Sequence, residues 1–276
     1  MGSMDGRVAL ITGAARGMGR SHAVRLAEAG ADIIAVDICR QIESMTVRMS
    51  SREDLEETAS LVRQAGRRVV CGVADVRDRR GLRAAVTDGV ATLGRLDTVV
   101  ANAGIWEITV DQPTDDDGRT RMWEDTIGVN LTGVWNTIEI SAPFMIDAGH
   151  GGSIIIISST AALQTVSNND LAFTSYGVSK TALIGLMKMS ASDLAPHSIR
   201  VNAIHPTGVG TPLTENEVVD EYFARHADLA AQIGRVFAPV EPGAISDAVL
   251  FLASDASRHI SGVSLPVDDA AMVRWR

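Results

Sequence analysis

Cysteine is nearly absent: Cys39 and Cys71 are the only two in 276 residues. That is too few for a disulfide framework, so a packed core must hold the fold, and a reducing cytoplasm is the expected compartment. Both are expected as small buried residues. An excess of basic residues is missing too. Lys and Arg number 25 against 34 Asp and Glu, a formal charge of −9, which excludes the basic face that nucleic acid requires. Long apolar runs are lacking. The strongest, such as Ile154 to Ile157, fall far short of the roughly 20 residues of a membrane-spanning helix, so no membrane partner is expected. The six histidines, His22, His150, His197, His205, His226 and His259, show no paired ligand spacing, and no metal site is expected. No Pro-rich linker or composition shift divides the chain. One domain over 4–276 is expected, with residues 1–3 read as an expression scar.

What is present is alternation. Short β-branched runs (Val8 to Thr12, Ile33 to Asp37, Val69 to Gly72) are separated by helical stretches (Gly17 to Ala29, Asp54 to Gln64), the pattern of βαβ units. Further strands are expected at Thr98 to Ala101, Ile154 to Ser158, Arg200 to Ile204 and Val263 to Val267, and a helix over Trp123 to Ala142. Right-handed crossovers wind seven such strands into an α/β, doubly wound parallel sheet of Rossmann type, with ligands outside the carboxyl ends of the strands. Two excursions interrupt it. Residues 39–52 are too long for a βα turn, and residues 212–242 precede the last strand; loops of such length often cover a site.

Thr12-Gly13-Ala14-Ala15-Arg16-Gly17-Met18-Gly19 follows the first strand and opens a helix. Glycines there let the backbone approach a pyrophosphate at the helix N-terminus. Asp37, about 20 residues on, offers a carboxylate to a ribose 2′-hydroxyl and repels a 2′-phosphate, which favours NAD over NADP. Arg16 beside the loop leaves an NADP-dependent ketoreductase as the alternative. Asp75 and Val76 follow the third strand; the Asp75 carboxylate suits an adenine amino group or a helix N-cap. Asn102-Ala103-Gly104 ends the fourth strand with small residues that let backbone lie along a cofactor.

Tyr176 and Lys180 are four residues apart, on one helix face. A phenol of pKa near 10 is a poor base at neutral pH, and a neighbouring ammonium stabilises its phenolate. Ser158 and Ser159 end a buried strand at the carboxyl edge, where Ser159 can donate to a substrate oxygen. Asn130 stands in a helical segment, a poor place for asparagine without a bond to backbone or water.

In this order and over almost the whole chain, Thr12-Gly13-x-x-x-Gly17-x-Gly19, Asn102-Ala103-Gly104, Asn130, Ser159 and Tyr176-x-x-x-Lys180 resemble the short-chain dehydrogenase/reductase family. The resemblance implies an NAD(H)-linked alcohol/ketone oxidoreductase and a homotetramer. It implies Tyr176 as proton donor and acceptor, Ser159 at the substrate oxygen, Lys180 lowering the tyrosine pKa and holding the nicotinamide ribose, and Asn130 holding a relay water. It places Pro206 to Thr211 by the nicotinamide, with the Val209 backbone and Thr211 on the carboxamide. Two departures stand out: Thr207 replaces the glycine that usually follows the proline, and the Ser159 to Tyr176 interval is about four residues longer than usual. With the 39–52 insert and His205-Pro206-Thr207-Gly208-Val209, the chain resembles the carveol-dehydrogenase-like, mycofactocin-coupled branch. That resemblance implies tightly retained NAD and a separate redox carrier, mycofactocin. Trp106, Gln164 and Phe173 suggest an apolar, terpenoid-like alcohol or serve as core. A non-catalytic dinucleotide sensor on the same fold is the reading from another class, expected to lack Tyr176 or Lys180; both are present.

Overall fold

The computed structural model describes residues 2–164, 169–232 and 239–273. Seven parallel strands, β1 (Val8–Thr12), β2 (Asp32–Asp37), β3 (Val69–Val73), β4 (Thr98–Ala101), β5 (Gly152–Ile157), β6 (Ile199–Pro206) and β7 (Ser264–Val267), lie in the order β3-β2-β1-β4-β5-β6-β7. Between them run α1 (Gly17–Glu28), α2 (Arg52–Gln64), α3 (Arg79–Leu93), α4 (Asp116–Ile127), α5 (Gly133–Ala148), α6 (Leu171–Leu194), α7 (Glu217–Arg225), α8 (Ala227–Gln232) and α9 (Pro242–Ala253). The expected seven-stranded Rossmann sheet is what forms.

Strand periodicity explains the layers. Leu10, Ile34, Val36, Val99, Ile154 and Ile156 point to one face and join residues of α3, α5 and α6. Their neighbours Ile11, Ile33, Ala35, Val100 and Ile155 point to the other and join α1, α2 and α9. A sheet covered on both faces needs apolar residues at every strand position. That is why β5 reads as an unbroken isoleucine run, each side chain contributing about 1.5–3 kcal/mol by burial. β3 is the sheet edge, and there Cys71 is exposed while Cys39 is half-buried, against the expectation of two buried thiols.

Two local expectations need correction. The helix expected over Trp123 to Ala142 is two helices joined by a π-helical turn, Gly128–Thr132, which carries Asn130. The N-cap of α3 is Asp78, whose carboxylate accepts from Arg80 N at 3.0 Å; Asp75 instead accepts from Arg77 N at 2.9 Å. The 39–52 insert packs inward. Its Ile42, Met45 and Val47 are buried in the core beside Ala74, Val76, Ile105 and Val129, and the Gln41 side chain spans the loop between Met45 O (2.7 Å) and Met49 N (3.0 Å). The 212–242 excursion contains α7 and α8, and its residues 233–238 lie outside the described residues.

Candidate active site

A cleft opens at the carboxyl ends of β1, β2, β4 and the following loops, the place where an open parallel sheet binds its ligands. Gly13, Arg16, Gly17, Met18, Gly19, Asp37, Asp75, Val76, Asn102, Ala103, Gly104 and Thr211 all line it. The glycines are required by close approach. Gly13 has φ +68°, and a Cβ there would stand 2.9 Å from Ala103 Cα; at Gly19 it would lie 2.0 Å from Gly13 O. Asn102 stitches the two loops together, donating to Thr12 O at 2.9 Å, while Thr12 Oγ1 accepts from Asn102 N and Ala103 N at 3.1 and 3.2 Å. Arg16 stands at the N-cap of α1 with no side-chain cap bond. Burial lowers its pKa against the pull of Asp54 and Asp37.

At the end of β2 the buried Asp37 carboxylate accepts from Ala15 N (2.9 Å), Cys39 N (3.1 Å) and Ser50 Oγ (2.5 Å). These bonds join the glycine loop, the strand end and the insert at one anion. Across the cleft, Asp75 is held by Arg77 (2.8 Å) and Arg40 (3.1 Å). Burial alone would raise its pKa, but Arg77 and Arg40 bring it below the usual carboxylate range. Its carboxylate is thus already committed to two arginines. Thr211 faces Gly17, where a Cβ would lie 3.4 Å from the threonine Cβ. The loop bearing Val209 is pinned by its bridge to Val240, with Gly210 N donating to Val240 O at 3.1 Å.

At the end of β5 the remaining groups gather. Lys180 is buried on α6 and donates to Ile157 O at 3.0 Å; burial lowers its pKa to about 8. Its ammonium stands 5.6 Å from the Tyr176 ring centroid. Burial raises Tyr176, and a hydrogen bond with Ser159 partly offsets this. The expected lowering of the tyrosine is therefore not a property of these side chains alone: desolvation outweighs the Ser159 hydrogen bond. Ser159 Oγ also accepts from Ala161 N at 3.1 Å. Asn130 is fully buried; its Oδ1 accepts from Ile105 N (2.8 Å), and its Nδ2 donates to Ile105 O (2.9 Å) and Ser179 Oγ (3.3 Å). A Cβ on Gly104 would be 3.4 Å from both Asn130 Oδ1 and Lys180 Nζ. Trp106 lies 5.5 Å from Tyr176 and 5.2 Å from Phe173, centroid to centroid.

Residues 7–221 match the family described as short chain dehydrogenase. The chain belongs to that family. This short-chain dehydrogenase is 39% identical to the (-)-trans-carveol dehydrogenase of Rhodococcus erythropolis, the match covering 97% of this chain and 98% of the relative. Among solved structures it resembles a carveol dehydrogenase from Mycobacterium avium in complex with NAD, at 44% identity and a TM-score of 0.89, over 99% of this chain and 100% of the other. A short chain dehydrogenase from Mycobacterium paratuberculosis bound to NAD has 41% identity and a TM-score of 0.90, with the same coverage.

Some parts of the dehydrogenase site have no motif of their own. Thr58 Oγ1 donates toward Ala14 O (3.0 Å), and Arg20 donates to Ala15 O (2.7 Å), so both brace the glycine loop from behind. Arg20 lies one turn past Gly17 and could have been suspected; nothing at the spacing of Thr58 points to the loop. Glu107, buried beneath the insert, stands next to Trp106 and carries no sequence signal at all.

Proposed function

We propose that this chain is an NAD-dependent dehydrogenase that interconverts a secondary alcohol and a ketone, with Tyr176 as general acid and base. The observation that carries this is the convergence of Tyr176, Ser159 and Lys180 at the carboxyl end of β5, beside the cleft lined by the glycine loop, Asp37 and Asn102 to Gly104. The lining suits the cofactor: Gly13 and Gly19 let the loop fold tightly against Ala103 and Asn102, where any Cβ would clash, and the helix N-terminus at Arg16–Gly19 suits a pyrophosphate. Gly13, Arg16, Gly17, Met18 and Gly19 would hold the phosphates, Asp37 the adenosine ribose, Asp75 and Val76 the adenine. Asn102, Ala103 and Gly104 would lie along it, with Pro206, Val209 and Thr211 at the nicotinamide. NAD, when bound, supplies the hydride acceptor.

The residues do the rest. Ser159 Oγ accepts from Ala161 N and is hydrogen-bonded to Tyr176, so a substrate oxygen arriving between the two takes over the serine hydrogen. Tyr176 accepts the hydroxyl proton during oxidation and returns it during reduction. Lys180, positive below about pH 8, attracts the phenolate that forms. The donors of Asn130 are spent on Ile105 and Ser179, so a relay water at this position must use its Oδ1 or its main-chain carbonyl. The aromatic wall of Trp106, Phe173 and Phe223 beside Tyr176 favours a cyclic apolar alcohol, the class named for the carveol dehydrogenases it resembles. Retained NAD served by an external carrier, mycofactocin, agrees with the insert lining the cleft through Ile42, Met49 and Ser50.

Incubating the protein with NAD or NADP and a panel of cyclic secondary alcohols tests the reading. Reduction of NAD in the presence of carveol-type alcohols is expected, and Tyr176→Phe should bind NAD normally yet lose roughly 10²–10⁴-fold in turnover. Preference for NADP would favour the ketoreductase reading, and binding without turnover the sensor.

A further inference from the structure

The parallel ladder between β5 and β6 runs from Gly152↔Ile199 to Ile157↔Ile204, and Ser158 N donates to Ile204 O at 2.8 Å. In a parallel register the next rung comes from the N–H of residue 206 to the Ser158 carbonyl. Residue 206 is proline, which has no N–H. The ladder stops one residue short of Ser159, and β6 turns its remaining bonds toward β7, where Thr207 N donates to Val267 O. At this point the buried His205 side chain takes over: its Nδ1 lies 3.0 Å from Ser159 O.

We propose that His205 is a positioning residue for Ser159, its Nδ1–H tautomer holding the Ser159 carbonyl one residue past the missing rung and fixing the backbone from which the Ser159 hydroxyl meets the substrate. The proposal rests on the role assigned to Ser159 above. A carbonyl only accepts, so Nδ1 must carry the hydrogen. Nε2 then keeps its lone pair, and it is buried with no protein partner among the described residues. An imidazolium would place a second N–H in that unpartnered position. Burial lowers the His205 pKa, the Ser159 carbonyl partly offsets this, and Lys180 lowers it further. The ring is thus kept neutral beside the ammonium that the chemistry uses.

The end of the same strand is also tied to α6. Lys180 Nζ donates to Ile157 O at 3.0 Å, and Ser158 Oγ donates to Lys180 O at 3.1 Å. Lysine and histidine therefore grip alternate carbonyls of one strand end, Ile157 and Ser159. Tyr176 comes from the lysine's helix and Ser159 from the strand, so their relative position depends on both grips. A displacement near 1 Å at such a site costs on the order of 10²-fold in rate.

His205→Leu removes the donor at similar bulk, whereas His205→Asn keeps an N–H at about the reach of Nδ1. His205→Leu is expected to lower kcat by about 10–10²-fold with NAD affinity unchanged, and His205→Asn to recover most of it. In a Ser159→Ala background, His205→Leu should cost little more, because the two act as one unit. Nitrogen-15 NMR of the wild-type imidazole should show hydrogen on Nδ1. An Nε2–H tautomer, no rescue by Asn, or full additivity with Ser159→Ala would overturn the proposal. Wild-type kcat in Ser159→Ala would overturn the role of Ser159 and the proposal resting on it, while the tautomer measurement would still report the His205 bond.

Discussion

Asp37 does two jobs with one carboxylate. It presents a carboxylate where we propose the adenosine ribose to lie, and it ties Ala15 N, Cys39 N and Ser50 Oγ together. Replacing it with alanine would strand two backbone donors, each costing about 1–3 kcal/mol if left buried and unpaired, so any change in cofactor choice would be mixed with loss of stability. Asp37→Asn removes the charge and keeps an acceptor. It is expected to raise the affinity ratio of NADP to NAD at least tenfold, about 1.4 kcal/mol, with a smaller fall in Tm; paired titrations of the two cofactors measure it. Lys180 is the other decisive residue. Because burial brings it to about 8 while burial raises Tyr176, the phenolate needs the lysine charge, and that charge is lost as pH rises past 8. Lys180→Met should move the alkaline-rising limb of alcohol oxidation to higher pH, and an unchanged kcat/KM profile would remove Lys180 from proton transfer.

Among the elements, the insert between β2 and α2 shows where sequence reading stops. Its length and its departure from Asp37 marked it as a cover for the adenosine side, and Ile42, Met49 and Ser50 do line the cleft. What holds it was not legible, because its partners Glu107 and Asp125 lie 63 and 81 residues away and neither sits in a motif. The strands and the glycine loop were legible because their signals are local: β-branched runs, glycines at required turns, a tyrosine and lysine one helical turn apart. The π turn was not, since Asn130 signalled only that something unusual happens inside a helix. Ser44 Oγ lies 2.6 Å from both Glu107 Oε1 and Asp125 Oδ2. A hydroxyl has one hydrogen, so two bonds this short require one carboxyl to be protonated. Glu107 is that one: burial raises its pKa to about 7, against the Ser44 bond and Arg77, with Asp125 adding to the rise, while Asp125 is paired with Arg77. A folded-state pKa above the unfolded value means that the native state binds the extra proton. Stability from this group is fully present below about pH 4.5, is lost as pH rises toward 7, and amounts to on the order of 3 kcal/mol. Thermal unfolding from pH 5 to 8 should show this decline, and Glu107→Gln should flatten it. Deleting the loop would also remove Met45, Val47 and the Ser50 bond to Asp37, so Ser44→Ala is the cleaner test of retention. It should speed NADH release in stopped-flow displacement while leaving the hydride-transfer step unchanged; equal release rates would show that the Ser44 bonds play no part in retention.

For the whole molecule, the covered sheet leaves its unfinished business on the outside. On the layer formed by α4, α5 and α6, Trp123, Trp135, Val178 and Met189 are exposed, and near the β7 edge Phe251 and Val263 are exposed as well. Scattered exposed apolar residues need no explanation, but large ones gathered on particular elements mark contact surfaces. Trp135 is partly sheltered, since Arg79 stacks over its ring at 4.5 Å; Met189, at 65% exposure, has no such cover. Two separate apolar regions on one chain are what a tetramer of twofold contacts needs, one region for each independent interface. The tetramer implied by the family resemblance is therefore expected to use the α4–α6 layer for one contact and the α9–β7 edge for the other. A charge buried in either contact without a partner is costly, so Met189→Glu and Phe251→Glu should each stop assembly at the dimer, and the double variant should yield monomers. Sedimentation equilibrium reads the masses directly. A wild-type monomer would sink the assembly outright, whereas dimers from one variant and intact tetramers from the other would show that only one of the two surfaces is an interface.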